Sequence, residues 1–337
     1  MKRKLRVLFY GVTHEHAFGK YMSLSRLPDD FEIVAVADDR ARAGAVFLDE
    51  KLVPESLPLI SEDEARSRSD FDVVFVESAN ANLMEIAGYW AGHGFPMHCD
   101  KPCGETLEPF GRIVATCREG NIPFQIGYMY RGNPAVRFVW DFVRGGGLGH
   151  VAFIEADMNH DYGRAGYPEY ISSFKGGILY NLGCHLVDLA VPMTHGALRD
   201  VRTFRGDAPG DPAGCGTRGA AMLRFDGTDV LLRVSSHMPG GILSRRLRVD
   251  GDNGTIDLCP IERFDGEELK LTMSLKEGRG GFPEGRREID FGVQKDRYAP
   301  QLLEFAARVR GEVPNDPAEY ERDLLVHELT LKACGLA

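Results

Sequence analysis

The sequence predicts an α/β domain, with a parallel sheet covered by helices on both faces, followed by an α+β domain built on a mostly antiparallel sheet. Three observations carry this. Short apolar runs alternate with helix-like segments through the first 127 residues. A glycine triplet at 145–147 terminates a helical segment where this alternation stops. From about residue 200 to 275 strand patterns follow one another at turn-separated intervals.

Taken in order, Leu5–Tyr10 is a short apolar run that ends at Gly11 and reads as a strand. Residues 16–27 form a helix closed by Pro28-Asp29-Asp30, and 32–37 form a second strand ending in Asp38-Asp39. A helix over 40–51, a strand over 72–77 and a helix over 82–92 follow. Residues 96–99 are a strand before Asp100-Lys101-Pro102, 107–118 an amphipathic helix, and 123–128 a strand. Beyond, 133–144 read as helix, 150–158 as strand, 159–176 as loop and 177–190 as one helix. Strands at 220–225, 230–235, 243–249 and 255–258 lie between glycine-rich loops at 206–219 and 278–285, and helices at 299–310 and 317–333 close the chain.

Composition sets further limits. The chain has 337 residues, enough for about two domains. Its net charge of −10 and lack of a basic tail argue against nucleic acid and anionic membranes as main partners. No apolar run approaches the ~18–20 residues that span a bilayer. The basic start Met1-Lys2-Arg3-Lys4 precedes only six apolar-run residues, too few for a secretion signal, so a cytoplasmic protein is expected. Seven scattered cysteines do not suggest a secreted disulfide framework. His93, His98, Cys99, Asp100 and Cys103 crowd together, but their spacing matches no zinc pattern, and no metal is expected.

Two constellations carry chemistry. A dinucleotide-binding Rossmann turn places three glycines between its first strand and helix, so that the backbone can approach a pyrophosphate. Here Gly11 fills the first slot, while Thr13 and His16 fill the second and third. An ordinary strand–helix turn is the alternative reading. Asp38, at the end of the second strand, could accept ribose hydroxyls and favours NAD, whereas Arg40 or Arg42 could reach a 2′-phosphate and leave NADP possible. Lys101 follows the fifth strand, at the carboxyl edge where open α/β sheets bind ligands. In the second constellation, Asn181, His185 and Asp188 fall at i, i+4 and i+7 on one polar helical face, opposite Ile178, Leu182 and Leu189. Alone, Lys101 reads as a solvated surface charge and His185 as a satisfied core histidine.

Together these residues resemble the Gfo/Idh/MocA oxidoreductase family. The resemblance rests on the glycine turn, Asp38, Asp100-Lys101-Pro102, Arg131-Gly132-Asn133-Pro134, the run Gly176-Gly177 to Asp188, and the strand–turn Arg246 to Gly254. It implies a Rossmann domain over 1–127 and a substrate-binding domain with a large open sheet over 128–337, with NAD(P) in the cleft between. It implies Lys101 and His185 as catalytic residues, with Asn181 where the family usually has aspartate. Ser78-Ala79-Asn80 replaces the common Thr-Pro-Asn, leaving Asn80, with Ser78, toward the cofactor, and His14 or His16 near the phosphates. Tyr130, Arg131 and the loop carrying His160 and Tyr162 are expected against the substrate. The implied activity is hydride transfer between nicotinamide and a secondary alcohol or ketone of a sugar or cyclitol, by a homodimer or homotetramer joined through the open sheet. An NAD-retaining glycosidase and a non-catalytic nucleotide-binding regulator are the alternatives.

Overall fold

The computed structural model describes residues 2–42, 59–161 and 166–337. The chain divides into two compact units, Met1–Tyr128 with Tyr298–His327, and Met129–Arg297 with Glu328–Ala337.

The first unit holds a six-stranded parallel sheet of β1 (Leu5–Tyr10), β2 (Phe31–Ala37), β3 (Leu59–Ile60), β4 (Val73–Val76), β5 (Met97–Cys99) and β6 (Phe124–Ile126). Its order is β3-β2-β1-β4-β5-β6. The connecting helices are α1 (Ala17–Ser25), α2 (Glu62–Ser67), α3 (Asn80–Gly92) and α4 (Leu107–Glu119). All four residues of β4 are buried, as expected of a strand covered on both faces. The strand order reverses between β1 and β4, which opens a crevice at their carboxyl ends. The sequence did not anticipate β3 or α2. Of its helix at 40–51, residues 40–42 are not helical and the rest lie outside the described residues.

Residues 298–327, expected in the second domain, group with the first. Hydrogen bonds explain this: Gln301 Nε2 donates to the Ile126 carbonyl at 2.7 Å in a buried bond, and Tyr320 Oη to the Ile122 carbonyl at 2.7 Å in a partly buried one. These tie α9 (Ala299–Val309) and the start of α10 (Pro317–Ala333) to the ends of β6.

The second unit begins with α5 (Pro134–Arg144), capped by the Asn133 side chain, which accepts from the Ala135 and Val136 amides. It then builds an eight-stranded sheet from β7 (Val151–Asn159), β8 (Leu198–Gly206), β9 (Arg218–Phe225), β10 (Asp229–Ser235), β11 (Arg246–Gly251), β12 (Gly254–Leu258), β13 (Glu268–Leu275) and β14 (Gly285–Val293). The order is β14-β13-β12-β11-β7-β10-β9-β8, antiparallel except for β7 beside β10. Short helices α6 (Tyr167–Ser172), α7 (Gly177–Asn181) and α8 (Gly183–Ala190) lie between β7 and β8, and α7 and α8 pack on the sheet. Alternate residues such as Ile154, Ala156, Val230 and Leu232 are buried. The residues between them are half-exposed and carry cross-strand pairs, including Arg233 on Asp157 at 2.9 Å. The single helix expected over 177–190 is broken at Leu182. Gly183, a poor helix former, follows the break, so Asn181 sits on a different helix from His185 and Asp188.

Candidate active site

The turn after β1 is built around Gly11. Its φ of +96° suits glycine, and a Cβ there would fall 2.8 Å from both Cα and N of Ser78 at the end of β4. Beyond it the turn is held by side chains. The Val12 amide donates to Asp39 Oδ1 at 2.8 Å, the Thr13 hydroxyl donates to the other oxygen of Asp39, and the Ala79 amide donates to Thr13 Oγ1 at 2.7 Å. Thr13, in the second glycine slot, thus bridges the ends of β2 and β4. Asp39 is fully buried and was missed by sequence reasoning. Its signal was its place beside Asp38, one residue out of phase. Asp38 itself is partly exposed and grips Arg40, whose Nε and Nη2 lie 2.8 and 2.6 Å from its oxygens. Hydrogen bonding from that guanidinium holds the Asp38 carboxyl below its ordinary range.

His14 and His16 enter a buried polar cluster. His14 Nε2 lies 3.0 Å from Asn80 Oδ1 and 2.9 Å from the Lys101 carbonyl, while its Nδ1 accepts from the His16 amide at 3.1 Å. Two acceptors at Nε2 and one donor at Nδ1 assign the proton to Nε2. His16 Nδ1 lies 3.1 Å from Asp100 Oδ1, which also accepts the Lys101 amide at 2.7 Å. Lys20, buried on α1, donates to Asp100 Oδ2 at 3.0 Å and stands 3.5 Å from Glu77. Burial lowers His16 to about 4 against the pull of Asp100, so its ring is neutral at pH 7. Burial drives Glu77 well above the carboxylate range, opposed by Lys20 and reinforced by Asp100. Burial pushes Asp100 the same way, but Lys20, His14 and His16 outweigh it and hold it well below that range. His14, His16 and Asp100 present ligand-type atoms within 4.8 Å of one another, a grouping able to hold a metal ion. The Lys20 ammonium already supplies a cation to the Asp100 carboxylate of this grouping.

Lys101 stands at the carboxyl end of β5 with its side chain fully buried. Its ammonium donates to Glu15 Oε1 at 2.8 Å. The first unit therefore brings together Gly11, Thr13, His14, His16, Ser78, Asn80 and Lys101, with Asp38 and Arg40 at the end of the neighbouring strand.

In the second unit Asn181, His185 and Asp188 are all buried. Arg131 donates to Asp188 Oδ1 through Nε at 2.9 Å and Nη2 at 2.7 Å, so the guanidinium expected at the substrate braces α8. Tyr130 turns its ring toward His185, centroids 5.7 Å apart, and its hydroxyl donates to Glu262 at 3.1 Å. Glu262 pairs with Arg245, which also donates to the Asn159 carbonyl at 3.1 Å, to Tyr130 Oη at 3.3 Å and to the His160 ring at 2.9 Å. Burial, with the Glu262 charge, raises the Tyr130 phenol above its ordinary range. Tyr162 lies outside the described residues. Arg245 and Glu262 were not singled out in the sequence, where neither periodicity nor a motif marks them.

A first unit with a parallel sheet and a glycine turn at its reversal point, and a second with an eight-stranded sheet and a buried Asn–His–Asp helix pair, define a two-unit chain with a Rossmann-like α/β first unit. The family model for the GFO/IDH/MocA C-terminal domain matches residues 136–257, within the second unit. The chain is 26% identical over 275 residues to a D-apiose dehydrogenase of Paraburkholderia graminis, spanning 76% of this chain and 67% of that protein. It is 24% identical over 237 residues to the rhizopine catabolism protein MocA of Rhizobium meliloti, spanning 66% and 72%. In fold it is similar to a 3-ketoreductase from Actinomadura kijaniata, solved with TDP-benzene and NADP, at a TM-score of 0.75 and 18% identity over 98% of this chain and 96% of that one. Among the described residues, no helix is long and apolar enough to cross a membrane.

Proposed function

We propose that this chain is an NAD(P)-dependent oxidoreductase moving a hydride between nicotinamide and a secondary alcohol or ketone of a sugar or polyol. The names of its relatives support the substrate class. The observation that carries the reading is Lys101 at the carboxyl end of β5, two strands from the Gly11 turn at the sheet's reversal point. The residues present fit a dinucleotide: the positive φ of Gly11 gives the tight turn after β1, and Asp38 offers a carboxylate beyond β2. The turn from Gly11 through His14, with Ser78 and Asn80, would hold its phosphate and nicotinamide portions, and Asp38 with Arg40 its adenosine ribose.

When bound, the dinucleotide supplies the hydride acceptor or donor. The chain's own residues handle the proton and the charge. His185 accepts the hydroxyl proton, the Lys101 ammonium stabilises the alkoxide that forms, and Asn181 orients the hydroxyl. Tyr130 and His160 shape the substrate side, held by Arg245 and Glu262, while Arg131 acts through Asp188.

A panel of sugars and polyols with NAD and NADP, read by reduced-nicotinamide absorbance, tests the reading. Turnover is expected with at least one pair, and Lys101→Ala should lower kcat by roughly 10²-fold or more while the dinucleotide still binds measurably by calorimetry. Binding of neither dinucleotide would refute the proposal, and glycoside cleavage without net reduction would favour the glycosidase alternative. The half-exposed sheet face, where Phe204 is 69% exposed, is proposed to join two copies of the chain. Phe204→Asp should then lower the mass measured by light scattering, and an unchanged oligomer would discard that interface.

A further inference from the structure

The turn between β1 and α1 carries a carboxylate where a phosphate-binding turn ordinarily carries none. Glu15 follows His14 in that turn, its side chain is 6% exposed, and its Oε1 receives the Lys101 ammonium at 2.8 Å. The groups facing the pair are fixed. His14 and His16 flank Glu15 on its own turn, and Asp100 accepts the Lys101 amide from the preceding residue. Lys20 and Glu77 stand behind Asp100, on α1 and at the end of β4. Burial disfavours the Glu15 carboxylate, but Lys101, then His16 and His14, overcome it and bring its pKa to about 2. The ion pair with Lys101 favours the charged form of Glu15.

Two consequences follow from position alone. A side chain ending in two buried, paired charges has lost its freedom to rotate, so Glu15 fixes where the Lys101 ammonium points. The N-terminus of α1, whose unpaired amides attract anions, already faces a fixed negative charge one residue upstream of its first turn.

We propose that Glu15 is a positioning and affinity-setting residue: it aims the Lys101 ammonium and weakens the hold of the turn on an anionic dinucleotide. The second half rests on the proposed NAD(P)-dependent function. The first half concerns only two side chains of one unit. Keeping dinucleotide binding loose favours product exchange, and keeping the ammonium aimed favours the chemical step, so one residue trades affinity against turnover.

Two substitutions separate the roles. Glu15→Gln keeps the shape and removes the charge, whereas Glu15→Asp keeps the charge and shortens the reach. Dinucleotide affinity, measured by calorimetry without substrate, should tighten about threefold or more in Glu15→Gln and stay near wild type in Glu15→Asp. The kcat should fall roughly tenfold in both. Equal affinity in Glu15→Gln and wild type, or an unchanged kcat in both variants, would overturn the proposal. Independently of any activity, a cycle of Glu15→Gln, Lys101→Met and the double variant is followed by urea unfolding. The double variant should lose less in midpoint than the two single losses together, because each single change strands one buried charge. Strict additivity would show that the pair is not coupled and would remove the basis of the proposal. A coupled pair in a protein that binds no dinucleotide would instead refute the proposed function and the affinity role, leaving only the aimed ammonium.

Discussion

Replacing Arg245 with methionine tests the buried network beneath His185. Arg245 is fully buried, as is its partner Glu262. The substitution keeps much of the side-chain volume but removes the donor to the Asn159 carbonyl, the Tyr130 hydroxyl and Glu262. Leaving a buried acceptor unmade costs about 1–3 kcal/mol, and breaking a buried ion pair from one side costs about 3–5 kcal/mol. Arg297, a quarter exposed, stands 3.2 Å from Glu262 and keeps part of its charge compensated, which moves the expected loss toward the lower end, about 3 kcal/mol. For a unit of this size that is a fall in Tm of roughly 6–12 °C. The chain has two tryptophans, one in each unit. A Trp90→Phe background makes Trp140, whose indole donates to the Leu189 carbonyl at 2.9 Å, the reporter of the second unit. Arg297→Met should cost much less, and Arg245→Met with Glu262→Leu should recover part of the loss, since no charge is then stranded. A shift below about 2 °C in Arg245→Met would refute the reasoning that these charges brace the unit.

Two further outcomes follow from the first unit. Because folding lowers the Glu15 pKa from 4.5 to about 2, its contribution to stability is complete above the first value and is lost as pH falls toward the second. Acid titration of the urea midpoint should therefore be steeper between those values in the wild type than in Glu15→Gln, and identical slopes would contradict the ion pair with Lys101. At Gly11, alanine meets both a positive φ and backbone atoms of Ser78 at 2.8 Å, so Gly11→Ala should destabilise the unit by more than the ~1 kcal/mol typical of the conformational effect alone. Ser78→Gly should rescue it only partly, because Cα and N remain, and full rescue by Ser78→Gly would contradict the backbone clash.

What the sequence made legible was local. The alternation of apolar runs with helices placed β1, β2, β4, β5 and β6, and the end of β5 put Lys101 at the correct edge of the sheet. Periodicity merged α7 and α8 because a broken helix keeps nearly the same polar spacing on each side of Leu182. It also missed β3, a two-residue strand too short to show a pattern. What escaped are pairings between residues far apart along the chain: Lys20 with Asp100, Arg245 with Glu262, and Arg131 with Asp188. No window of neighbouring residues carries such pairings. Asp38 and Asp39 show the limit most sharply. Both end β2, yet one is exposed enough to grip Arg40 and the other is buried against the Gly11 turn, a distinction set by which side of the sheet each residue faces.

The glycine turn itself reads differently once those partners are known. By sequence it is a motif with two of three glycines lost. In the fold, each occupant of a lost position makes a specific bond: Thr13 ties Asp39 to the Ala79 amide, and His16 ties its backbone to His14 and its ring to Asp100. Lys20 and Asp100 then secure the far side of the same cluster. Glycine permits a close approach but holds nothing, whereas these side chains fix the turn to the ends of β2, β4 and β5. The rigidity gained is coupled to Lys101, whose amide and carbonyl both end in the cluster. The departures from the glycine pattern therefore act together, as one rebuilt connection between the turn and the lysine.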